Sequence, residues 1–209
     1  MLTKTTALLL MSLLAVGTAA AAQESTGTPE KAVPMQKIAP PGAPQQTAAG
    51  EAKLLGAGET APDFVSNDLA GKPVRLSDYK GKTVVLDFWA TWCGPCLASL
   101  PHTQEVAKKF KADGVVVLAV CTSDTRAKFE EWLKANQSKY PDIVFTCDPN
   151  ERGSANYGDR ASLKLYGVSG IPTQYVINRE GKVAASLVGY SAGDTRLESE
   201  LGKLGIKSN

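Results

Sequence analysis

Histidine is almost missing from this sequence: 209 residues contain one, at position 102. A single imidazole cannot complete a catalytic or metal-binding set, so His102 reads as an ordinary helix residue. Cysteine is scarce too, with four copies. Only Cys93 and Cys96 form a C-x-x-C pair, and a zinc site would lack its second half. No metal and no other cofactor is expected. Neither sign of charge dominates: 23 Lys and Arg face 21 Asp and Glu, for a net charge of +2. No basic stripe stands out, which argues against a nucleic-acid partner. No internal repeat is visible. A hydrophobic content of 43% with 7% aromatics suits one globular domain plus extensions.

The first residues lack charge. Lys4 is the only charged side chain before Glu24, and residues 7–16 form an apolar core with Leu8, Leu9, Leu10, Leu13 and Leu14. Ala20-Ala21-Ala22 closes the segment. This three-part layout is that of a secretory signal peptide over residues 1–22, with an apolar core well short of the ~20 residues a membrane span needs. An uncleaved anchor is the alternative. No cysteine lies near the cleavage region, so a lipid anchor finds no support. The mature protein is therefore expected to be exported, periplasmic and soluble, in an oxidising space. Residues 23–58 carry Pro29, Pro34, Pro40, Pro41 and Pro44 among Gly, Ala, Gln, Ser and Thr. Such a Pro/Ala/Gln-rich segment buries too little surface to offset its ordering entropy, and reads as a disordered linker. A folded domain over residues 59–209 follows.

Its centre is residues 83–110. Thr83-Val84-Val85-Leu86-Asp87-Phe88-Trp89-Ala90 is a β-branched and aromatic run, hence a buried strand. The next stretch, with Leu97, Leu100 and Val106, reads as a helix. Cys93 and Cys96 thus sit where a strand hands over to a helix, and free N–H groups with the positive end of the helix dipole favour a thiolate there. A spacing of three brings both sulfurs to one side of the first turn, close enough to bond. Further along, residues 115–121 and 143–147 read as strands, 124–138 as a helix opened by Asp124, and 148–158 as loop. A short helix covers 161–166. Strands 174–177 and 183–188 form a hairpin, and Ser191 caps a last helix carrying Leu197, Leu201 and Leu204. An earlier hairpin joins residues 61–65 to 72–76. This alternation implies an α/β sheet, mostly parallel with an antiparallel edge.

Asp87-Phe88-Trp89-Ala90-Thr91-Trp92-Cys93-Gly94-Pro95-Cys96 and Tyr166-Gly167-Val168-Ser169-Gly170-Ile171-Pro172-Thr173 resemble thioredoxin. The added hairpin opening on Ala61-Pro62-Asp63-Phe64, and the extra helix-strand unit over 124–147, are similar to its exported TlpA/ResA-like branch. The resemblance implies a thioredoxin fold: a central mixed sheet flanked by helices, with an N-terminal β-hairpin and an inserted helix-strand unit. It implies a thiol-disulfide oxidoreductase in which Cys93 and Cys96 form a redox-active disulfide. Cys93, first in the helix, is the exposed attacking sulfur, and Cys96 resolves the mixed disulfide. Asp87, costly to bury unless protonated or paired, would take the proton of Cys96. Pro172 would be a cis-proline which, with Ile171, offers an edge to an extended substrate; Trp92, Gly94 and Pro95 complete the rim. Trp89 belongs to the core, and Pro101 kinks its helix.

Several positions depart from that branch. Leu97 and Ser99 stand where a basic and an acidic residue are frequent, and Asp87 where an amide is. Cys121 and Cys147 end two strands at one sheet edge, and three states stay open: a structural disulfide, two buried thiols, or a second electron-carrying pair. Gly94-Pro95 supplies no cation to favour the thiolate strongly, which points to a reductase of protein disulfides. The expected partners are disulfide-bearing proteins and a transmembrane thiol relay as electron donor; clients would include haem-attachment cysteines, as in cytochrome c maturation, or copper-site cysteines. The protein is expected to be a monomer. The rival readings are a peroxiredoxin-like thiol peroxidase and a thioredoxin-fold metallochaperone or binding module.

Overall fold

The computed structural model describes residues 53–206. The expected signal peptide, 1–22, and positions 23–52 of the expected linker lie outside the described residues. Seven strands run in chain order as β1 (Val65–Asn67), β2 (Pro73–Arg75), β3 (Thr83–Trp89), β4 (Val115–Cys121), β5 (Ile143–Cys147), β6 (Thr173–Ile177) and β7 (Val183–Val188). Four α-helices accompany them: α1 (Gly94–Phe110), α2 (Arg126–Asn136), α3 (Ala161–Lys164) and α4 (Arg196–Lys203). The strands form one sheet in the order β2-β1-β5-β4-β3-β6-β7.

Strand β3 lies deep in this order and is buried at every position. Because side chains alternate across a strand, Val84, Leu86 and Phe88 enter one core with Phe64, Tyr166 and Tyr175. Val85 and Trp89 enter the other, with Cys93, Cys96, Leu100 and Leu201. Asp87 shares the parity of Val85 and Trp89, so its carboxyl is committed to the face that carries the cysteines.

The sheet differs from a mostly parallel one. Only β3–β4 and β4–β5 pair in parallel, while β1–β2, β1–β5, β3–β6 and β6–β7 are antiparallel. The hairpins at both flanks are antiparallel as expected; the difference lies in how they join the centre, since β1 runs antiparallel to β5 and β6 antiparallel to β3. Two helix starts also move. Thr125 caps α2 in place of Asp124, its side chain accepting the Lys128 N–H at 3.4 Å. The last helix begins after Thr195, later than a cap at Ser191 would place it.

The folded part also reaches further back than position 59. Leu54 and Leu55 pack against the Tyr166–Tyr175 core, and the Leu55 N–H donates to the Tyr175 hydroxyl at 3.3 Å. Their apolar burial offsets the ordering entropy that the proline-rich stretch before them cannot meet. This strap crosses directly over Gly167, whose φ is +65° and where an added Cβ would lie 2.1 Å from the Lys53 carbonyl oxygen. Gly167→Ala is therefore expected to cost about 2 kcal/mol or more, through left-handed strain and displacement of the strap. A urea melt of the variant checks this; an unchanged midpoint would contradict it.

Candidate redox site

Cys93 and Cys96 are joined, with an S–S distance of 2.00 Å. Cys93 is the N-cap of α1, in an extended conformation, and its sulfur accepts the Cys96 N–H at 3.2 Å. Gly94 and Pro95 fill the first helical turn, where the missing proline N–H costs nothing. The sulfur that would carry negative charge on reduction thus sits at the positive end of a 17-residue helix. The expectation of an exposed Cys93 needs correction for this oxidised state: Cys93 is 4% exposed and Cys96 1%. The Cys93 sulfur lies 3.7 Å from the Ile171 carbonyl oxygen, so the loop before β6 covers it from one side. Access comes over exposed Gly94 and Pro95.

That loop contains a cis peptide bond between Ile171 and Pro172. Ile171 is half-buried and Pro172 buried. The Thr173 hydroxyl donates back to the Gly170 carbonyl at 2.8 Å, and the Gly189 N–H donates to Pro172 O at 2.8 Å. The loop is held at both ends beside the disulfide.

Asp87, on the face of β3 that packs with the cysteines, is 1% exposed. Burial pushes its pKa up from 3.8 to about 7, against the pull of the Gln174 amide, which favours the charged form. Gln174 Nε2 donates to Asp87 Oδ2 at 3.2 Å, while Oδ1 is buried with no hydrogen-bond partner among the described residues. A carboxyl with one anchored and one uncommitted oxygen, titrating near neutrality, suits proton exchange. Ser99 is buried within α1 and its hydroxyl donates to the Cys96 carbonyl at 2.7 Å. The neutral helix face read from Leu97 and Ser99 is therefore partly an internal one.

Trp92 stands at the rim, 53% exposed, while Trp89 is fully buried. Trp92 Nε1 donates to the Ser123 carbonyl at 3.0 Å, and the Arg152 guanidinium lies 5.2 Å over its ring. One buried carboxylate ties these parts together. Asp124 Oδ2 accepts the Thr91 N–H at 2.7 Å and lies 3.5 Å from the Cys121 sulfur, and the Asp124 carbonyl accepts the Arg152 N–H at 2.8 Å. The loop that carries Cys93 is thereby fixed to the end of β4.

Cys121 and Cys147 are register partners on β4 and β5, both buried and both free thiols. The adjoining Cys147 thiol, and then burial, push the Cys121 thiol well above its usual pKa. A thiol held protonated is a poor nucleophile, so Cys121 lacks the tuning of an electron carrier. His102 lies on α1, away from the sulfurs, and bonds Glu198 Oε1 at 2.8 Å. Among the described residues no cluster of His, Cys, Asp and Glu could hold a metal ion.

Gln174, Asp124 and Arg152 escape a reading of the sequence alone. A polar residue inside the apolar run of β6 is the one signal that could have singled out Gln174. Asp124 reads as a helix opener, and Arg152 sits in a polar loop with nothing local to distinguish it.

Comparison with known proteins agrees with this geometry. Residues 57–186 match the AhpC/TSA family. The thiol-disulfide oxidoreductase ResA of Bacillus thuringiensis subsp. konkukian is 34% identical over 147 residues, 70% of this chain and 78% of that protein. ResA of Bacillus subtilis is 37% identical over 132 residues, 63% of this chain and 67% of that protein. Among solved structures, the pneumococcal exposed lipoprotein thioredoxin of Streptococcus pneumoniae is similar with a TM-score of 0.55 and 38% identity, covering 68% of this chain and 99% of that one.

Proposed function

Since this chain belongs to the AhpC/TSA family, in its thioredoxin-like, ResA-related branch, we infer that it reduces disulfides of other proteins outside the cytoplasm. It is a thiol-disulfide oxidoreductase, and the Cys93–Cys96 bond at the start of α1 is the observation that carries this. Neither rival reading gains support: a metallochaperone would need ligands beyond two bonded sulfurs, and the ResA relatives favour disulfide chemistry over a peroxidase.

In the reduced protein the Cys93 thiolate attacks one sulfur of a client disulfide. A Cys93–client disulfide forms, and the other client sulfur leaves as a thiolate. Cys96, giving its proton to Asp87, then attacks the Cys93 sulfur. The second client sulfur leaves, and the client has gained two electrons that the protein has lost as the Cys93–Cys96 bond. Because both sulfurs are held one turn apart, the second step is effectively unimolecular. Trp92, Gly94 and Pro95 on one side and the Ile171–Pro172 edge on the other form the surface on which an extended client strand lies.

Residues 1–22 support export, and among the described residues no helix is long and apolar enough to cross a membrane. A reductant in an oxidising space needs electrons from inside the cell, so a transmembrane thiol relay is the proposed donor. Clients are cysteines that must stay reduced for haem or copper attachment, and the protein works as a monomer. Direction is tested by equilibrating the pair against glutathione buffers. The expected potential lies near thioredoxin's, about −270 mV; a value near that of the oxidant DsbA, about −120 mV, would overturn the reductase reading.

A further inference from the structure

Beside Pro172, a cleft of about 10 Å³ opens between α1, β6 and the start of α4, with room for about one water molecule. Ser99, His102, Pro172, Gln174, Tyr190 and Arg196 are among its walls. Gln174 has two roles at once. It lines this cleft, and it is the register partner of Asp87 across β3–β6. Its Nε2 is shared between Asp87 Oδ2 and Thr103 Oγ1, both at 3.2 Å, with Thr103 fully buried on α1. The amide is therefore pinned from two elements, with the carboxyl on its inner side and the cleft alongside.

We propose that Gln174 is the positioning residue for Asp87 and the plug between its carboxyl and the solvent-facing cleft beside Pro172. This rests on the reading of Asp87 as the group that takes the Cys96 proton. Gln174 holds Oδ2 so that Oδ1, which has no partner, stays available for that proton. It also keeps cleft water off the carboxyl, which preserves the burial that makes Asp87 a base at neutral pH. Its hydrogen-bond partner Gln174 on β6 and its register partner Ala119 on β4 are uncharged, as is Thr103 on α1, which holds the same amide; Cys96, the titratable group it would serve, is bonded to Cys93 in the oxidised protein. The charged and titratable groups at the cleft and its edge are Tyr190, Asp194, paired with Arg196 at 2.6 Å, and His102, paired with Glu198 at 2.8 Å.

The test is carboxyl 13C NMR titration of Asp87 in the oxidised full-length protein, where neither Cys93 nor Cys96 titrates. Gln174→Leu deletes the amide but keeps the plug, and is expected to move the Asp87 midpoint upward by about one pH unit, a tenfold change in proton affinity. Gln174→Ala deletes the amide and joins the cleft to the carboxyl; water then solvates the charge, and its midpoint should fall below that of the Leu variant. Thr103→Val, nearly isosteric, frees the amide and should shift the midpoint upward by less than Gln174→Leu. A midpoint unmoved in Gln174→Leu and Thr103→Val overturns the positioning role, and coincident midpoints for the Leu and Ala variants overturn the plug. The Asp87 reading itself is checked separately, by the pH profile with which Cys96 resolves a chromogenic mixed disulfide on Cys93. If Asp87→Asn leaves that profile unchanged, the base assignment fails whatever Gln174 does.

Discussion

Asp87→Asn is expected to make the oxidised protein more stable by up to about 4 kcal/mol at pH 8, and to change little at pH 4. The folded carboxyl titrates at about 7 because it is buried, against 3.8 when the chain is open. Below 3.8 both states hold the proton, and the group costs nothing. As the pH rises towards 7 the unfolded chain ionises while the folded one keeps its proton, so stability drains away across this window. Above 7 the folded state must bury a charge, and the full loss persists. The gap of about three pH units, at ~1.4 kcal/mol each, sets the size of the effect. Asparagine carries no charge at any of these pH values, so its curve should lack this fall, and the difference between variant and parent isolates Asp87 from the other titrating carboxyls. Urea melts of the oxidised protein at pH 4, 6 and 8 measure the difference. A difference independent of pH would mean that Asp87 is not a buried carboxyl with a raised pKa.

Cys93→Ser should lower disulfide reduction on the order of a thousandfold or more, since a hydroxyl cannot form the mixed disulfide. Serine is among the preferred N-cap residues, so α1 should start as before and the loss will not reflect unfolding. Cys96→Ala should behave differently. It leaves the attacking sulfur in place and removes the group that releases it, so clients accumulate on Cys93 as covalent adducts. Non-reducing electrophoresis and intact-mass measurement read this directly. Adducts forming equally well on Cys93→Ser, or absent from Cys96→Ala, would show that the exchange does not proceed in this order.

What the sequence made legible was local. The Cys93–Cys96 pair could be placed because a strand pattern and a helix pattern meet within a few residues there. Asp87 stood out as one carboxylate inside an apolar run, and strand parity sends it to the cysteine face. Cys121 and Cys147 could be assigned to one edge because each closes its strand, and the register pairs them directly. Their bonding state could not be read, since it depends on how two thiols meet within the folded core. Gln174 stayed hidden for a related reason: it meets Asp87 across 87 residues of chain, through an antiparallel register that hydropathy does not encode. Strand direction is equally silent in a 2-residue repeat, which is why the antiparallel joins of the two hairpins to the centre, β1–β5 and β3–β6, could not be read. Asp124 shows the converse error. Its place before α2 suggested a cap, yet Thr125 takes that task and Asp124 turns back to hold Thr91.

The two borders of the sheet are unequal. β2 is three residues long and starts at Pro73, a residue with no N–H to offer a neighbour, and it lies between Lys72 and Leu76 with Arg75 at its end. A second molecule finds almost no ladder to continue on that side. β7 is six residues long, and its last residue, Val188, is 52% exposed and stands opposite Thr173, next to the cis peptide. Any lateral extension of the sheet is thus steered to the border nearest the sulfurs, where a visiting chain and a sister copy would compete for the same backbone.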